Sequence, residues 1–223
     1  MKQFIYFCFV FICIQLVSCN KNVKYSDERT PEEDSALAAT GANLLNMTPN
    51  ALKMINQGLH KAKDSLTYYE YYMRLGEYYA IQNDVGAMKY ADKVINFAKH
   101  QKETPRINEL LGIAYSTKAS YYSALRQNMD EAIALDRQAY GLLMKSAHKN
   151  YVPDLMANLG DMYVAKNDMI NASSCYRRAL FLVDSLNLPK EKNVSLYLGL
   201  AHIYQMLNDN DLAEKCYFET EKF

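Results

Sequence analysis

A frame of large and small residues recurs through the chain and limits its fold more than any other feature. One copy reads Leu159-Gly160, Tyr163, Asp168, Ala172, Tyr176, Ala179. The next reads Leu200-Ala201, Tyr204, Asp209, Ala213, Tyr217, with Tyr204 lying 41 residues beyond Tyr163. An earlier copy carries Leu75-Gly76, Tyr79 and Asp84 at the same internal spacings. Within each copy the apolar and small positions fall three or four apart, the spacing of one helix face. A break at the aspartate lets a second helix fold back on the first. A small residue such as Gly160 or Ala172 lets two backbones approach, and a Tyr or Leu opposite fills the remaining space. A single hairpin of this kind cannot bury its apolar face; only stacked copies make a continuous core.

The spacing predicts helices over residues 49–64, 66–82, 84–101, 105–127, 129–148, 152–166, 168–186, 190–207 and 209–221. Thr48-Pro49 starts the first of them. Pro105, Pro153 and Pro189 sit near the starts of later ones, where a missing N–H costs little. Asn83-Asp84, Asn167-Asp168 and Asn208-Asp209 mark turns at which the carboxylate can cap the following helix. In the segment 50–64, Leu52, Ile55 and Leu59 share a face, as a second helix of a further hairpin would require. The polar stretch from Asn20 to about Ala42 reads as a tether, helical near its end. No segment reads as a strand, so the chain is expected to be all-α.

These residues resemble the tetratricopeptide repeat (TPR). That pattern places Leu-Gly, Tyr, Ala, an aromatic and Ala at the spacings of Leu159, Gly160, Tyr163, Ala172, Tyr176 and Ala179. The copy around Tyr204 departs from it at Ala201 and Thr220, and the copy around Tyr79 has Met88 where Ala is expected, shifting its second helix by one residue. Between them lies a degenerate copy with Ala132 and Ala139, in which Ala119, Ser120 and Ser123 replace Leu, Gly and Tyr. The resemblance covers residues 66–223. It implies a right-handed α-α superhelix of about four hairpins plus an N-terminal helix, binding a protein or peptide along its concave face without catalysis. The concave positions it assigns include Glu70, Met73 and Glu77, then Asp154 and Asp161, then His202, Gln205 and Met206, with Tyr121 from the degenerate copy. Glu70, Glu77, Asp154 and Asp161 would line one inner surface with carboxylates, predicting a ligand with basic or hydrogen-bond-donor groups. Tyr217 is expected to pack within its own repeat. The face beyond it is left open, where another copy could pair.

At the other end, Lys2 precedes the apolar run Phe4–Val17, too short to span a bilayer and of the length of a secretory core segment. Leu16-Val17-Ser18-Cys19 resembles the bacterial lipobox, which implies cleavage before Cys19 and its acylation. The expected organisation is a signal peptide at 1–18, a tether at 19–42 and the repeat array at 43–223. The expected location is the envelope of a Gram-negative bacterium. The whole resembles Bacteroidetes-type lipoproteins and the exported sensor region of bacterial membrane regulators, so a ligand-sensing part of a longer receptor is the second reading.

With 25 basic and 25 acidic residues the formal charge is zero, giving no basis for nucleic-acid binding. His60, His100, His148 and His202 lie too far apart for a helical metal site. There is no glycine-rich phosphate loop or nucleophile elbow, and Asn208-Asp209-Asn210-Asp211 reads as a helix cap. No enzyme activity, metal or cofactor is expected. Cys175 and Cys216, at equivalent positions of adjacent repeats, read as small buried thiols, too far apart for a disulfide.

Overall fold

The computed structural model describes residues 26–223. The signal segment, Cys19 and the tether as far as residue 25 lie outside the described residues. The described chain forms ten helices and no strand: α1 (Pro31–Leu45), α2 (Ala51–Lys61), α3 (Ser65–Ile81), α4 (Gly86–Lys99), α5 (Pro105–Ala124), α6 (Met129–Leu143), α7 (Val152–Ala165), α8 (Met169–Ser185), α9 (Lys192–Met206) and α10 (Asn210–Thr220). Consecutive pairs make five antiparallel hairpins. Each hairpin packs on the next, and the first helices α1, α3, α5, α7 and α9 also touch in succession.

The tether is the main correction to the sequence reading. Residues 31–45 are a full helix, so the stack begins before residue 43 and α2 has a first helix of its own. The cause is local. Thr30 accepts from the Glu33 backbone N–H while the Glu33 carboxylate accepts from the Thr30 N–H, and Pro31 fits the first turn. Leu37, Thr40, Gly41 and Leu44 are then buried. Gly41 and Leu44 stand three apart, as Gly160 and Tyr163 do, a signal that the flanking acidic residues obscured.

The turns follow from two residue types placed side by side. Asn83, Asn167 and Asn208 adopt left-handed backbone, with φ of 55, 59 and 58°. Behind two of them, Asp168 and Asp209 accept from backbone N–H groups three residues on, at 3.1 Å each. Asp84 instead accepts from the Gly86 N–H at 2.6 Å, because α4 starts later. The first small buried residue of this second helix is Ala87, one residue before the Met88 of the frame.

Most of the repeat-signature residues are in the core. Leu75, Gly76, Ala132, Leu159, Gly160, Tyr163, Ala172, Tyr176, Ala179, Leu200 and Ala213 are buried. Tyr79 is half-buried and stacks on Tyr90 at 5.3 Å, and Tyr204 is half-buried. Tyr217 departs from expectation: it is exposed, and Cys216 turns inward in its place. Cys175 and Cys216 are free buried thiols, and burial pushes the Cys175 thiol up to about 11.

Tyr176 shows how the stack closes. A methyl group on Gly160 would meet its ring at 2.6 Å and one on Gly199 at 2.2 Å, so both glycines are filled by one tyrosine between α7 and α9. Its hydroxyl donates to Asp161. The equivalent position of the degenerate hairpin holds Asp136, which is fully buried with no well-formed hydrogen bond to either oxygen. Burial pushes its carboxyl up to about 8, eased only in part by the Ser116 hydroxyl.

The consequence for stability has a definite sign. The folded pKa lies above the unfolded one, so the stability this group contributes is fully present below about pH 4 and is lost, by about 1.4 kcal/mol per pH unit, as the pH rises to about 8. Asp136→Asn is expected to remove that slope and to be more stable than wild type at pH 7 by on the order of 4 kcal/mol. Urea unfolding of both proteins between pH 4 and 9 measures it; parallel curves would refute the assignment.

Candidate functional site

The first helices of the hairpins surround a groove of about 690 Å³. Ala38, Gly41, Ala42 and Leu45 of α1 form one wall. Glu77, Ala80 and Ile81 of α3, with Ile113, Ser116, Thr117 and Ser120 of α5, form its floor. Tyr151, Asp154, Leu155 and Asn158, at the start of α7 and along it, form the far wall, with Lys192 of α9 at the edge. The small residues of α1 leave the space open, and the serines and threonine of α5 present hydroxyl groups where larger side chains would fill it.

The carboxylates assigned to this surface do not make it acidic. Glu70 is buried and accepts from Arg106 at 2.6 and 2.7 Å and from Arg29 at 2.8 Å. Glu77 accepts from Arg74 at 2.7 Å, Asp154 is paired with Lys192 at 2.6 Å, and Asp161 accepts from Tyr176. Three of the four are thus matched by a cation of the same chain, and the basic-ligand expectation loses its charge basis. Met73 is 1% exposed and offers no contact surface. Glu77 and Asp154 do line the groove. Tyr121 is half-buried beside Tyr122 and is not on the groove wall, while His202, Gln205 and Met206 are exposed on α9, beyond it.

Arg74 is the residue the sequence reading missed. It lies in the helical frame, where an arginine reads as surface, yet its side chain is 5% exposed. Gly41 of α1 sits over its guanidinium, it donates to the Tyr151 hydroxyl at 2.9 Å, and it stands 5.7 Å from that ring's centre. Burial works against its charge, but Glu77 and Tyr151 outweigh it and hold the guanidinium above its usual range. The i, i+3 pair Arg74–Glu77 was visible in the sequence; Gly41 and Tyr151 were not its sequence neighbours. Among the described residues no three His, Cys, Asp or Glu side chains gather as a metal site, and no helix is long and apolar enough to cross a membrane.

Similar solved structures bear on the fold. BtubC (BKLC) from P. vanneervenii superposes with a TM-score of 0.62 at 14% identity, over 87% of this chain and 91% of that one. A Podosopora anserina structure of kinesin-light-chain type, with nearly identical TPR-like repeats, gives 0.57 at 16% identity, over 86% and 93%. A stretch of 65 residues is 34% identical to the anaphase-promoting complex subunit CDC16 of Saccharomyces cerevisiae. That match spans 29% of this chain and 8% of the relative's length. No family model matches the chain. The protein has the TPR-like solenoid fold.

The two groove pairs differ in burial, which separates their energetic weight. Glu77→Ala leaves Arg74 buried with only a phenol as partner and is expected to cost about 3 kcal/mol. Asp154→Ala, whose carboxylate is 57% exposed, is expected to cost under about 1 kcal/mol. Denaturant unfolding of both variants checks the ranking; equal losses would contradict it.

Proposed function

We propose that the chain is a scaffold that holds a short segment of a protein partner in the groove between α1 and α7, without catalysis. The observation that carries this reading is the groove itself: an open space of about 690 Å³ lined by helices from every hairpin. Its polar groups are uncharged or already paired. Leu45, Ile81 and Ile113 suit apolar side chains, while Asn83, Asn150, Asn158 and the Ser120 hydroxyl suit a peptide main chain. A segment of low charge fits better than a basic one.

The volume also lies in the range of small-ligand pockets, which keeps a second reading, the sensing region of a signalling receptor. The Leu16-to-Cys19 tetrad supports lipidation at Cys19 and a place in a bacterial cell envelope, tethered to a membrane. Self-association through the exposed α10 end, where Phe218 stands clear of the core and Phe223 stacks on Tyr197, belongs to the same proposal.

A photo-crosslinking residue at Asn158, in the full chain produced in an envelope-bearing bacterium, is expected to trap a discrete protein adduct in the membrane fraction. The same residue at Arg177, on a second helix, is expected to trap none. Cys19→Ala should move the adduct out of that fraction. Equal labelling from both positions would remove the groove reading, and a small-molecule adduct alone would favour the sensor.

A further inference from the structure

Residues 26–45 are held to the array in an unusual way. α1 packs on α2 and α3 alone and buries two large apolar side chains, Leu37 and Leu44. By contrast α7 buries Val152, Leu155, Leu159, Met162 and Tyr163. What α1 lacks in apolar hold is supplied by Arg29, just before its cap. Its side chain is 6% exposed and donates to Glu70 of α3 at 2.8 and 3.1 Å and to Glu109 of α5 at 3.2 and 3.4 Å. It also pairs with Asp34 at 3.2 Å and lies 3.3 Å from His148 Nδ1, in the α6–α7 connection. Arg106 adds a tie by donating to the Ser26 carbonyl at 2.9 Å.

The two acceptors differ in what they would keep if Arg29 left. Glu70 retains the fork of Arg106. Glu109, with a side chain 4% exposed, retains only His148, at 3.8 Å. The vacated space would be a buried cup with a carboxylate on its wall and the shape of a guanidinium. A planar, forked cation matches such a cup better than an ammonium does.

We propose that Arg29 is the resident occupant of a guanidinium subsite. Residues 26–45 are then a strap that forms one wall of the groove, and an arginine presented by a partner displaces it, so that the groove widens. The consequence for groove access rests on the groove being a binding surface; the latch itself does not. Elements held by few apolar contacts are those that open locally, and α1 forms one wall of the groove. The occupant here is a single arginine in a small cavity beside the groove, the two sharing Arg74, Glu77 and Ile113, which agrees with a partner segment of otherwise low charge.

Hydrogen exchange on the full chain tests the strap. Arg29→Ala is expected to raise exchange across residues 31–45 about tenfold or more, with residues 152–165 unchanged. In that variant N-acetyl-arginine amide is expected to bind saturably, at about millimolar concentration. Wild type and the Arg29→Ala, Glu109→Gln double variant should not bind it, and N-acetyl-lysine amide should bind more weakly. Should Arg29→Ala fail to fold, Arg29→Lys is expected to raise exchange in the same segment by a smaller factor. Unchanged exchange at 31–45, a loss spread over all hairpins, or no saturable binding of the arginine probe would each overturn the proposal. None of these results depends on crosslinking from Asn158, so the two readings fail separately.

Discussion

One tyrosine ring wedged against two glycines shows the constraint on which the array depends. Tyr176 fills the space left by Gly160 on its own hairpin and by Gly199 on the next, so three helices close around one side chain. Interiors pack too densely for either glycine to gain a methyl group without moving the ring. Gly112 against Leu143, and Gly58 against Tyr71, repeat the device with other partners. Because each contact lies within a hairpin or between neighbours, the fold grows by addition and leaves the first helices lining one side.

The degenerate hairpin shows what happens when the ring is absent. Asp136 occupies the place of the tyrosine, and α5–α6 closes instead through Ala119, Ala132, Ala139 and Leu143. Ser120, which stands where the other copies carry the glycine of the frame, lines the groove floor beside Ser116. The buried acid, placed where the next hairpin carries its tyrosine, is the cost of that departure in stability.

Charge on the inner surface is used within the molecule. Buried ion pairs add little net stability, because desolvation offsets attraction, but they fix which elements meet. Arg74 joins α1, α3 and the start of α7; Arg29 joins the segment before α1 to α3, α5 and the α6–α7 connection. With these arginines satisfied internally, the open part of the groove presents a shape and neutral hydrogen-bonding groups.

Short-range pattern was legible in the chain itself. The spacing of Leu159, Gly160, Tyr163, Ala172 and Tyr176 determined helical hairpins and their order, because that periodicity is local and each small residue announces a close approach. The Asn-Asp pairs marked the turns for the same reason. Tertiary structure alone decided how charges paired. Glu70 meets Arg29 and Arg106 across 41 and 36 residues, and Arg74 meets Tyr151 across 77, separations at which no helical spacing applies. The same long-range contacts made residues 31–45 a wall of the groove: the Thr30–Glu33 capping box and Pro31 mark the helix locally, but where it packs depends on the surface beneath it.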